Sequence, residues 1–200
     1  NDINLSAYVW DKTIGNDTNA FTATFDGNNK TITGLKMEDS TSTVAGLFGQ
    51  TGTNAIIQNL KVTGTTIKCT ADTSFVGGLI GKITGSTKVI DCNITPSTLT
   101  AGANGQTGVI AGDASANNAE LDVISTNSTS ASIPAVGGTA KKLTVRTASF
   151  GAPVKAETLD AYASTLTEAE AGTVTLSNSS KVTTLNTSTS ATLTGATITT

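Results

Sequence analysis

Nine residues carry what chemistry this chain could do: Asp26, Asp91, Asp113, Asp122, Cys69, Cys92, Arg146, Tyr8 and Trp10. Histidine is absent from the 200 residues. That removes His-based zinc sites and the Ser-His-Asp and Cys-His catalytic arrangements. The cysteines stand 23 positions apart (69 to 92), with no further metal ligand at usable spacing. A small buried thiol is the expected state of Cys92. A disulfide in an oxidising compartment is the alternative. Glycoside hydrolysis needs two carboxyl groups about 5–10 Å apart across a cleft. The aspartates lack an adjacent pair, and Arg146 is the sole arginine. Asp26-Gly27-Asn28 has the look of a metal loop but lacks the alternating ligands of one, and reads as a turn. Glu168 and Glu170 would diverge on a helix and share a face on a strand; both read as solvated charge. The expectation is therefore no catalytic, metal or cofactor residue. Hydrolase or lyase turnover on pectin, alginate, chitin or peptides is not expected. Tyr8 and Trp10 would share one face of a strand, where they could stack on sugar rings or form an apolar lid over the first layer of the fold.

What positions these residues is a repeat. Gly46-Leu47-Phe48-Gly49 returns as Gly78-Leu79-Ile80-Gly81, 32 positions on, and more loosely as Gly108-Val109-Ile110-Ala111-Gly112, 30 positions later (78 − 46 and 108 − 78). A fixed period in this range marks stacked units that cannot bury an apolar face alone. Between these boxes, Ile32-Thr33-Gly34-Leu35-Lys36-Met37 matches Ile57-Gln58-Asn59-Leu60-Lys61-Val62 and, less closely, Val89 to Ile94. Leu60-Lys61-Val62 alternates with the two-residue period of a strand, and Ile57 is out of phase with it. A bend is therefore expected at Asn59. No helical pattern separates these strands, so equivalent strands should stack in parallel as a parallel β-helix, a solenoid. The expected inward columns are Leu35, Leu60 and Cys92; Met37, Val62 and Ile94; and Leu47, Leu79 and Val109.

The stretches Phe21 to Leu35, Val44 to Gly49 and Ile57 to Gly64 resemble proteins carrying GLUG motifs, named for a Gly-Leu-aromatic/aliphatic-Gly core. The resemblance covers residues 8 to 112. It implies a bacterial cell-surface or secreted β-helix, either an adhesin or a stalk-like region of a larger protein.

The predicted organisation is all-β, with GLUG-like β-helix repeats over residues 1–140. A continuation or C-terminal cap follows over 141–200. Within the latter, Leu159, Tyr162, Ala163 and Leu166 fall at i, i+3, i+4 and i+7, which predicts a helix over 156–171. Pro153 and Gly172 would bound it. Strand-like alternation resumes at Thr173 to Leu176, Val182 to Leu185 and Ala191 to Thr194.

Composition fits an extracellular module. Charged residues make up 14% and aromatics 4%, so the polar surface must come from elsewhere. Threonine, roughly one residue in five, suits exposed strand faces. The net charge of −3 and the lack of a basic cluster exclude a phosphate-tracking surface, and so nucleic acid. No apolar run is long enough to span a membrane as a helix. The function expected is a non-enzymatic surface module, adhesin-like or a rigid spacer within a longer secreted chain. Its partners would be host or cell-surface glycans or proteins. The alternative is a carbohydrate-active or glycan-binding β-helix of polysaccharide-lyase type.

Overall fold

The computed structural model describes residues 1–128, 130 and 132–199, and over them the chain is all-β. No helix occurs among the described residues. The strands pair in parallel.

One register runs nearly the whole length of the chain. Ile3, Ile32, Val62, Ile94, Ser128, Phe150, Leu166, Val182 and Ile198 lie level with one another, each paired to the next. The differences between these residue numbers are 29, 30, 32, 34, 22, 16, 16 and 16. A second register joins Phe25, Ile57, Val89, Val123, Val145, Ala161, Leu176 and Leu193. From Ile57 to Leu176 these side chains are fully buried. The spacing shortens between Ser128 and Phe150. The longer levels carry two further three-stranded sheets, one through Val44–Ala45, Phe75–Gly77 and Gln106–Gly108, the other through Phe48–Thr51, Ile80–Ile83 and Ala111–Asp113. Pairings in the largest sheet also close on themselves. A ring of nine strands runs from Ala55–Cys69 by way of Asn93–Thr100 and Thr165–Ser177 to Ser86–Ile90 and back.

The bend expected at Asn59 is present, and it is one of a series. Asn59, Asp91, Ser125, Thr147, Ala163 and Asn178 occupy equivalent positions at the end of the second register, all with φ between 47° and 54°. L-residues rarely adopt this left-handed conformation, Asn and Asp most readily. Each stands between a residue of the second register and the next residue of the first. A small buried residue then follows in most levels: Cys92, Thr126, Ala148, Ser164 and Ser180. The hydroxyls of Thr126, Ser164 and Ser180 each bond to the backbone of the preceding level. The Ser164 Oγ donates to the Tyr162 carbonyl at 2.8 Å and accepts from the Ala148 N–H at 3.3 Å. Ser180 repeats this one level on, accepting from the Ser164 N–H and donating to the Ser177 carbonyl. Thr126 does the same for the Cys92 N–H. Ser164→Ala would orphan the buried Ala148 N–H and should cost about 1–3 kcal/mol. Chemical denaturation of the variant measures this, and Ser164→Thr should recover part of the loss.

Three expectations require correction. The helix over 156–171 is absent: the strands Val154–Tyr162 and Thr165–Ser177 occupy that stretch. Leu159 and Ala161 point inward, Tyr162 points outward, and Ala163 takes the left-handed corner at φ 47°. The corner resets the alternation, so two strands in sequence imitate a helical spacing between Leu159 and Leu166. The inward column with Val62 and Ile94 holds Ile32, not Met37, which lies level with Ile67. The true step there is 30 residues: Ile32-Thr33-Gly34 matches Val62-Thr63-Gly64, with Gly34 and Gly64 both left-handed at φ 68° and 66°. Leu35 is buried, but level with Thr65 rather than Leu60. Finally, Gly77 pairs with Gly108 and Ile80 with Ala111, an offset of 31. Ile110, not Val109, therefore lies level with Leu79.

Candidate functional site

The four aspartates are dispersed through the fold rather than gathered in one place. Asp26-Gly27-Asn28, read from the sequence as a turn, lies instead within the strand Thr24–Thr33, at a register break before Lys30. Asp26 is exposed there, and its carboxylate accepts from Gln58 Nε2 at 2.8 Å, the Asn28 N–H at 2.8 Å and Asn59 Nδ2 at 3.1 Å. These bonds, led by that from Gln58, hold its pKa below the usual carboxylate value. Asp91 is exposed at the left-handed corner. Asp113 is buried on another sheet, its Oδ2 3.9 Å from Lys82 Nζ. Lys82 also lies over the Phe75 ring, 4.9 Å from its centre. Asp122 alone among the four stands beside the arginine, its Oδ1 3.8 Å from Arg146 Nε. No group of three or more Cys, Asp or Glu side chains able to hold a metal occurs among the described residues.

Asp39 forms the most heavily bonded carboxylate. It accepts from the N–H and hydroxyl of Thr41, at 2.7 and 2.9 Å, and from the N–H and hydroxyl of Ser42. These bonds, the Ser42 hydroxyl foremost, push its pKa well below the ordinary range. An acidic residue ahead of a Ser-Thr-Ser run is a local turn former, and every donor here lies within three residues.

Tyr8 and Trp10 are 66% and 45% exposed, with Val9 at 57% between them. Neither lies on a strand; only Ile3–Asn4 is one in this region. The segment is pinned instead by the Trp10 N–H donating to the Lys36 carbonyl at 2.7 Å. Tyr8, Val9 and Trp10 are thus three consecutive exposed apolar side chains.

Both cysteines are buried free thiols. Cys69 Sγ donates to the Ser42 carbonyl at 2.8 Å. Burial pushes the Cys92 thiol up from 9.0 to about 11. A thiol whose folded pKa is raised loses stability as the unfolded chain ionises first. Stability should therefore be full below pH 9 and fall as pH rises from 9 towards 11. The loss should reach about 3 kcal/mol. Comparing urea midpoints of the wild type and Cys92→Ala across this window isolates the thiol's part.

Sequence reading missed a mixed polar face on the outside of the second register. There Lys88, Asp122, Thr144, Asp160 and Thr175 lie level in one outward row. Ile124, Arg146, Tyr162 and Ser177 form the row beside it. Glu120 and Lys142 flank them, 3.2 Å apart. A Tyr two residues after an Asp is the only sequence signal, and the expected helix would have separated the two.

No family model matches the chain, and no solved structure matches it. Among curated proteins, 86 residues are 35% identical to a protein of Evansella cellulosilytica described as "Putative Gly-rich membrane protein". That match covers 40% of this chain and spans 10% of the relative's length.

Proposed function

We propose that the chain is a parallel β-helix of GLUG type, serving as a non-enzymatic, adhesin-like or spacer module of a larger extracellular or cell-surface protein. The observation that carries this reading is the single register from Ile3 to Ile198. Nine equivalent residues recur in chain order, each one parallel pairing from the last. The nine-strand ring is a consequence of this stacking. Ala55–Cys69 and Thr165–Ser177 each run past a corner and contribute to two faces, so the pairings of both faces join through them. Such a stack presents polar Thr and Ser rows outward and needs no partner to form its core. The dispersed carboxylates favour a non-enzymatic role. The partial match to a far longer relative fits a module within a larger chain.

Purified protein should release neither reducing ends nor unsaturated sugars from pectin, alginate or chitin, with or without calcium. Antibodies raised against it should label intact source cells. Reproducible release abolished by Asp122→Asn would overturn the non-enzymatic part, and labelling only after lysis would overturn the surface location.

A further inference from the structure

We propose that Arg146, Asp160 and Tyr162, with Thr144 and Ser177, form a binding subsite for a neutral oligosaccharide. These five residues line a shallow outward recess of about 280 Å³. Their arrangement is a grid set by the fold. Thr144 lies level with Asp160, and Arg146 with Tyr162 and Ser177. Neighbouring levels are about 4.8 Å apart, and alternate residues along a strand about 6.7 Å. A pyranose ring matches that spacing.

Each position supplies a distinct part of sugar recognition. Tyr162 is 46% exposed, the large aromatic of this face. Its hydroxyl accepts a hydrogen bond from Asn178 Nδ2, one level on, which fixes the ring's polar end. An aromatic ring with one wet edge and a free apolar face suits the C–H face of a sugar. Asp160, on the same side of the same strand, is exposed, and no hydrogen bond or ion pair engages its carboxylate among the described residues. It is free to accept from a pair of sugar hydroxyls. Arg146 is half-exposed, and its Nε faces Asp122 at 3.8 Å. Its remaining guanidinium donors can reach the recess.

Charge selects the class of sugar. Lys88, Lys142 and Arg146 balance Glu120, Asp122 and Asp160 across the face. Lys142 is tied to Glu120 and Arg146 to Asp122, so no unpaired cation borders the recess except Lys88, on the far side of Asp122. A uronate chain would meet the free carboxylate of Asp160 unopposed. A neutral chain would not.

The inference goes beyond the spacer reading, which needs no ligand. Sugar turnover would overturn that reading alone, and absence of sugar binding would overturn this one alone. The test is calorimetric titration of the full chain with β-1,4-linked gluco-, manno- and xylo-hexaose and with oligogalacturonate. At least one neutral hexaose should bind and oligogalacturonate should not. Tyr162→Ala and Asp160→Asn should each weaken binding at least about tenfold. Both should keep the wild-type melting temperature, since the side chains are exposed. Tyr162→Phe should retain most of the affinity. The proposal fails if no neutral hexaose binds, if the acidic oligomer binds instead, or if binding survives both substitutions and is lost in Trp10→Ala.

Discussion

Gly81→Ala should destabilise the protein by at least about 3 kcal/mol, more than an ordinary surface substitution by a wide margin. The reason is space rather than backbone conformation. A Cβ at Gly81 would stand 2.5 Å from the Gly49 carbonyl oxygen and 2.8 Å from the Ala45 nitrogen. Both obstacles are backbone of the neighbouring level and cannot swing aside. The same collision recurs up the stack: a Cβ at Gly49 would meet the Gly15 oxygen at 2.6 Å, and one at Gly112 the Gly81 oxygen at 2.7 Å. The closing glycine of each box is thus required by the next level's approach. Gly151→Ala is the control, since its Cβ would meet nothing nearer than 3.3 Å. Equilibrium denaturation of both variants measures the difference. Equal stabilities would mean that the levels do not approach as described.

Leu60→Asp should abolish folding of the N-terminal half. Leu60 is 4% exposed and packs among the apolar core residues. It sits just past the Asn59 corner, and Gly27 of the adjoining level is so close that a Cβ there would lie 2.8 Å from Leu60 Cδ1. A carboxylate in that place has no partner, and an isolated buried charge costs far more than a domain's marginal stability. Leu60→Ala removes the side chain without adding charge and should cost roughly 2–5 kcal/mol. Circular dichroism of the first and urea denaturation of the second provide the check. A loss under about 1 kcal/mol for the alanine variant would place Leu60 at the surface.

The sequence made the N-terminal levels legible because their glycines and aliphatics recur at nearly constant spacing. Leu47, Leu60, Leu79 and Cys92 are buried as the alternation predicts. Register was harder to read. Leu60-Lys61-Val62 aligns by eye with Leu35-Lys36-Met37, yet the paired segment is Lys30-Thr31-Ile32, because an insertion around Asn28 and Asn29 displaces the phase. The C-terminal levels were obscured by their corners. Ser125, Thr147 and Ala163 take a left-handed conformation that nothing in their chemistry advertises, whereas Asn59 and Asn178 announce it. With the corners hidden, the sixteen-residue levels look like a helix followed by closely spaced strands. The face around Arg146 and Tyr162 was invisible for the same reason, since it exists only when strands sixteen residues apart are laid side by side.

The central claim is a linear stack of levels, and distance along it is the direct measure. Ser86, Glu120, Lys142, Thr158, Thr173 and Ser190 occupy successive levels of one outward row. Spin labels can be placed at Ser86 and, in turn, at Thr158, Thr173 or Ser190, while the two buried native thiols resist labelling. Pulsed electron paramagnetic resonance should then give separations rising by one step per level, about 14, 19 and 24 Å between backbone positions. A separation that levels off or shrinks from Thr158 to Ser190 would mean the strands curve back into a closed barrel, and would contradict the stack.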